Sequence, residues 1–150
     1  MNSDTQSVDE RVRAHVYDAT MRTGVPPTSA AVANTTSISR DAVIESFSRL
    51  AFGHMLVLQP GTGEILMANP FSAVPTPFRV DTDKFSAYGN CIWDALGIPA
   101  MLHSDARIIT SCADCGEAAE IAVESGAIQG DGLLHFAIPA KQWWDDIVFT

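Results

Sequence analysis

The residues able to do chemistry crowd into one stretch. Between Gly89 and Gly116 lie all three cysteines, Cys91, Cys112 and Cys115, together with Asp94, three positions after the first of them. Asn90 is a residue type that caps helices, and a helix opening there carries Cys91 and Asp94 on one face, about one turn apart. The unpaired amides and the positive dipole end of such a helix favour a thiolate, so a depressed pKa is expected for Cys91. Ile92, Trp93, Leu96, Ile98, Ala100, Met101 and Leu102 make the helix apolar nearly all round, which predicts burial. Burial keeps a proton on the Asp94 carboxyl. A thiolate beside a protonated acid is a soft-metal ligand beside a proton donor. Taken alone, Cys91 also reads as a small buried hydrophobe, a common fate of cysteine.

Cys112-x-x-Cys115-Gly116 has three readings. It has the shape of half a zinc knuckle, but zinc takes four ligands, no second Cys-x-x-Cys or His pair follows, and His103 and His135 stand alone. A structural zinc is therefore not expected. A redox dithiol normally opens a helix after a strand, which this pair does not. The third reading makes both residues buried turn thiols in a knuckle without its metal.

Cys91-x-x-Asp94-x-Leu96-x-x-Pro99-Ala100, followed by Ala106-Arg107, Cys112 and Gly116, resembles the core of the organomercurial (alkylmercury) lyases, most densely from Tyr88 to Ile121. The resemblance implies protonolysis of carbon–mercury bonds, R–Hg⁺ going to RH and Hg²⁺. It makes Cys91 the thiolate that captures mercury and Asp94 the proton shuttle, both in contact with the metal, with Cys112 and Cys115 as further ligand candidates. It implies no cofactor, with Hg²⁺ as bound product. The implied partners are a small organomercurial substrate, cellular thiols and mercuric reductase as product acceptor. This sequence departs from the family pattern in one respect. The second catalytic cysteine implied by the family falls near Trp143–Thr150, where this chain ends, and no cysteine follows Cys115. A fragment of a longer lyase, substitution by Cys112 or Cys115, and binding without cleavage are the three expectations that follow.

Composition narrows the alternatives. The 150 residues carry a formal charge of −9, which disfavours binding along a phosphate backbone. Three cysteines do not make a secreted disulfide framework, and reduced thiols fit a cytoplasmic protein. The polar, acidic start Met1–Glu10 has no apolar run of the kind a signal peptide carries. Apolar runs elsewhere are broken well short of the ~20 residues of a membrane span.

The elements that must position the site read as α+β. Apolar spacing at Val12, Val16 and Ala19 predicts a helix from Asp9 to about Thr23, closed by Gly24. Thr28 or Ser29 opens a second through Ala33, and Ser39 a third with Val43, Phe47, Leu50 and Ala51 on one face. Met55–Leu58 and Glu64–Ala68 flank Pro60-Gly61-Thr62-Gly63, a hairpin signal. Three helices and a hairpin make a winged-helix-like lobe over residues 1–68. Its other functional reading is a DNA-binding regulator or a thiol-based metal-binding module without lyase activity. Its third helix offers only Arg40 and Arg49, beside Asp41 and Glu45, so nucleic acid is not the expected partner. A Pro-rich extended connector spans 69–87, part of it an edge strand. Residues 88–150 form a small mixed or antiparallel β lobe built around the buried helix and incomplete at its carboxy terminus. Pro99 interrupts or kinks that helix. Strands are expected at Arg107–Thr110, Ala119–Val123 and Leu133–Ile138, with a loop over Ser125–Gly132. A last strand is expected to hold the apolar run Ile147-Val148-Phe149.

Overall fold

A computed structural model describes residues 3–148. Three helices come first, α1 (Ser3–Thr23), α2 (Ser29–Thr36) and α3 (Arg40–Phe52), and their starts follow local chemistry. The Thr28 side chain accepts from the Ala31 amide and the Ser39 side chain from the Ala42 amide, each satisfying an amide that the helix leaves unpaired. α1 begins earlier than the apolar spacing suggests, because its first turns are polar and solvent-facing. Strands β1 (Leu56–Leu58) and β2 (Ile65–Ala68) form the expected hairpin, and β3 (Phe71–Ser72) adds a third antiparallel strand. Val12, Val16, Val32, Val43, Phe47, Leu56, Ile65 and Ala68 close over one another as the first core.

Both arginines of α3 are engaged within the chain. Arg49 grips Asp9 of α1 with a contact of 2.8 Å and Arg40 reaches Glu64 at 3.3 Å. Glu64 also accepts from the backbone and side chain of Ser29, pinning the hairpin turn to the start of α2. Cations paired in this way are poor phosphate ligands.

The second sheet has the order β5-β4-β6-β7-β8, all antiparallel, from β4 (Arg79–Thr82), β5 (Ser86–Tyr88), β6 (Ala106–Ser111), β7 (Ala118–Glu124) and β8 (Ala127–Gln129). Alternation along β4 and β6 turns Val80 and Ile108 to one face, where they are cross-strand partners. Helix α4 (Ile92–Leu102) lies on that face, and Ala95 and Ile98 join Phe71, Val80, Ala87, Ala106, Ile108 and Val123 in a second core. Tyr17 and Met21 of α1 pack against this core too, and Phe71 bridges to Gly89, so the two sheets meet at the Pro-rich stretch.

Several expectations change. Part of the Pro-rich stretch does form edge strand, β3 in the first sheet and the start of β5 in the second. But β4, which carries Val80, is interior, flanked by β5 and β6, because Pro70, Pro75 and Pro77 all precede it and its amides are free to pair. The Gly-rich loop after β7 folds back as β8, since Ser125 and Gly126 both take positive φ and make a two-residue hairpin turn. Leu133–Ile138 is not a strand. Leu133 is 98% exposed and the segment lacks a pairing partner among the described residues. A 3₁₀ turn, Ala140–Asp145, follows and carries Trp143 and Trp144. Ile147 and Val148 are in no strand, and Phe149 of the expected last strand lies outside the described residues. Among the described residues, no helix is long and apolar enough to cross a membrane.

Candidate active site

α4 is placed by a close backbone approach. Gly89 is buried, and a Cβ there would stand 2.5 Å from the Ala95 amide nitrogen, so only glycine lets the first turn of α4 lie against the end of β5. Asn90 does not cap the helix. Its side-chain amide donates to Asn69 Oδ1 at 3.2 Å and to the Pro70 carbonyl at 3.3 Å, while Tyr17 Oη donates to the Asn69 carbonyl at 2.9 Å. Asn90 thereby ties the start of α4 to the Pro-rich stretch and, through it, to α1, while its side chain also lies against Asp94. The cap position falls to Cys91, whose extended backbone carries the Ala95 amide on its carbonyl without any side-chain cap. At the other end, the helix runs through Pro99 and stops at His103, which is left-handed and bonds back to the Pro99 carbonyl.

Cys91 and Asp94 meet as their spacing implies. Cys91 Sγ donates to Asp94 Oδ2 at 3.6 Å, and both residues are half-buried. Burial raises the Asp94 pKa, and this outweighs the hydrogen bonds from Asn90 and Cys91 that pull it down. The Cys91 thiol does not follow the helix-terminus expectation. Its pKa is raised, first by burial, with the negative charge of Asp94 opposing the backbone amides that would lower it. Desolvation and a like charge one turn away exceed what the helix terminus supplies. Nor is α4 buried all round. Ala95, Ile98 and Pro99 face the core, whereas Trp93 is 59% exposed and Met101 is also open to solvent.

Trp93 is the residue that sequence reasoning left without a role. Its ring lies edge-on to Phe136 at 6.4 Å and to Trp143 at 6.5 Å. With Ile138 and Pro139 these rings line an apolar cleft of about 480 Å³ beside the first turn of α4. A larger cleft, about 570 Å³, lies at the far end of α4 around His103, Asp105 and Ser125, away from the thiol. The aromatic residues were visible in the sequence, but their convergence depends on how the segment after β8 folds back.

Cys112 and Cys115 sit apart from this pair, in the turn between β6 and β7, both free and exposed rather than buried. The Cys112 thiol has a lowered pKa. The Cys115 amide contributes most, followed by the Asp114 amide and the Cys115 side chain. Among the described residues, no group of three or more His, Cys, Asp or Glu side chains stands close enough to hold a metal ion.

A five-stranded antiparallel sheet carrying a Cys-x-x-Asp helix on its inner face, with a three-helix lobe joined to its edge, defines a thiol-bearing α+β protein. The family model for alkylmercury lyase (MerB) matches residues 71–150, just over half of the chain, and the chain belongs to that family. Among solved structures, the mercury-bound form of MerB2 is similar in fold, with a TM-score of 0.60 at 22% identity over 87% of this chain. The match covers 60% of that chain, so this one spans less than two thirds of its length. No curated protein sequence matches the chain.

Proposed function

We propose that the chain is an organomercurial lyase that cleaves the carbon–mercury bond by protonolysis, with Cys91 as the mercury-binding sulfur and Asp94 as the proton carrier. The observation that carries this reading is the 3.6 Å thiol–carboxyl contact at the start of α4. The family match and the lyase-like fold support it.

The raised pKa of both groups suits the chemistry. At neutral pH the Cys91 proton stays on sulfur until a soft cation arrives, and Asp94 is the group best placed to take it. R–Hg⁺, delivered as the complex of a small thiol, exchanges onto Cys91 Sγ. The Cys91 proton passes to the Asp94 carboxylate, which burial favours in its neutral form. A second sulfur on mercury, supplied by a cellular thiol, loads electron density onto the metal and weakens its bond to carbon. Asp94 then delivers its proton to that carbon, the Hg–C electron pair forms the new C–H bond, and RH leaves. Hg²⁺ remains on sulfur and Asp94 is again ionised. The apolar cleft beside Trp93 offers the hydrocarbon group a dry neighbour.

The test is to incubate the chain with phenylmercury and an excess of a small thiol and to measure benzene. Product well above the thiol blank is expected, with loss on Cys91→Ser and retention on Cys115→Ser. No benzene above the blank removes the enzymatic reading, and equal losses from the two substitutions reverse the role assignment.

A further inference from the structure

We propose that Cys112 and Cys115 form a second metal site, a surface dithiolate clamp for a two-coordinate soft cation, with Hg²⁺ the ion its chemistry fits. The site does not rest on the lyase reading. Both thiols are free and exposed at the tip of the β6–β7 hairpin. The turn that holds them is closed at both ends. The Cys112 amide donates to the Glu117 carbonyl at 2.8 Å and the Gly116 amide to the Cys112 carbonyl at 2.9 Å, with Gly116 at φ +76° supplying the left-handed step. The two thiols stand three residues apart within that one closed turn, and the Cys115 and Asp114 amides, with the Cys115 side chain, lower the Cys112 pKa. The backbone thus holds both sulfurs on one short turn, where it favours the thiolate that a metal needs.

Ligand count selects the ion. No cluster of three or more ligand side chains exists among the described residues, so a tetrahedral zinc ion would lack half its ligands here. A soft cation that is satisfied by two sulfurs needs nothing further. The exchange balances without any other reactant. Hg²⁺ arriving on two small thiolates is transferred to the Cys112 and Cys115 sulfurs, and the two protons lost from the protein thiols leave on the two released small thiols.

The experiment uses the full chain with Cys91→Ala, which removes the lyase sulfur and makes the result independent of that activity. The reduced protein receives one equivalent of mercuric chloride and excess glutathione, and non-denaturing mass spectrometry reads the stoichiometry. One Hg²⁺ per chain with no glutathione attached is expected. Adding Cys112→Ser or Cys115→Ser should weaken retention by about a hundredfold, the gain that joining two ligands gives over one. Both positions are exposed, and an unchanged circular dichroism spectrum establishes that the variants are folded. Mercury lost to glutathione, mercury held with glutathione still bound, or undiminished retention after Cys115→Ser would each overturn the clamp. So would equally tight retention of Zn²⁺, because it would require ligands beyond the two sulfurs.

Discussion

Cys91 Sγ donates to Asp94 Oδ2 across one turn of α4, at 3.6 Å, in a site where burial raises the pKa of both groups. The thiol is thus stored neutral, and the carboxyl that the proposed protonolysis would make its proton acceptor is already its hydrogen-bond partner. The sequence suggests a thiolate at the helix end beside a protonated acid, whereas burial in the folded chain keeps the proton on the sulfur itself.

This arrangement separates binding from turnover. Asp94→Asn keeps the sulfur and removes the carrier, so mercurial binding should persist while benzene release falls by about 10²- to 10⁴-fold, the usual contribution of a positioned acid. Cys91→Ser should lose both. Equilibrium binding of phenylmercury measured beside product formation distinguishes the two, and parallel losses in Asp94→Asn would assign the carboxyl to mercury ligation instead.

The same pair makes a statement about stability. Asp94 has a folded pKa above its ordinary value of 3.8, so its contribution is fully present below that value and is lost as pH rises through the folded value. As pH rises through that folded value, ionising the half-buried carboxyl becomes a cost. Asp94→Asn should therefore be more stable than the parent near pH 7, with the gap closing on acidification. Urea unfolding of both proteins across pH 4 to 8 reads this directly, and a parent more stable at pH 7 would contradict it.

The legible parts of the molecule were those fixed by local chemistry. The Thr28 and Ser39 caps, the Gly-rich hairpin turn and the i, i+3 geometry of Cys91 and Asp94 follow from residue types within a turn of one another. What escaped depends on distant partners. Asn90 does not cap α4 because its side chain is held by the bonds its amide group donates to Asn69 and Pro70, some twenty residues earlier, and the cap position falls to Cys91. β4 sits inside the sheet because β6 pairs with it across the whole of α4. The Cys91 pKa rises because burial is a property of the assembled core, which no helix-terminus argument contains.

Asp9 and Arg49 give a second pH dependence, opposite in sign. The Arg49 hydrogen bonds hold the Asp9 carboxyl below its ordinary 3.8 against the cost of burial. Its contribution is present above that value and is lost as pH falls through the lower, folded one. Asp9→Ala should cost about 2 kcal/mol at pH 7, since it strands the guanidinium that joins α1 to α3, and less near pH 2. Equal destabilisation at both pH values would mean that packing, not charge, is what the residue supplies.

Gly89 and Gly97 predict opposite effects from the same substitution. At Gly89 a methyl group would lie 2.5 Å from the Ala95 nitrogen and 2.7 Å from its Cα, both backbone atoms that cannot turn aside. α4 must shift outward, at a cost of about 1–3 kcal/mol, and it carries Cys91 and Asp94 with it. At Gly97, within α4, the new methyl would meet Pro70 Cβ at 3.6 Å, an ordinary contact, and alanine favours a helix interior over glycine by about 0.5–1 kcal/mol. Gly97→Ala should therefore raise the unfolding midpoint and leave benzene formation intact. Gly89→Ala should lower the midpoint, and at temperatures where it remains folded it should still release less benzene, because a displaced helix start no longer sets the sulfur and the acid against the sheet as the parent does. If Gly89→Ala is as active as the parent when folded, the close approach of β5 and α4 serves stability alone.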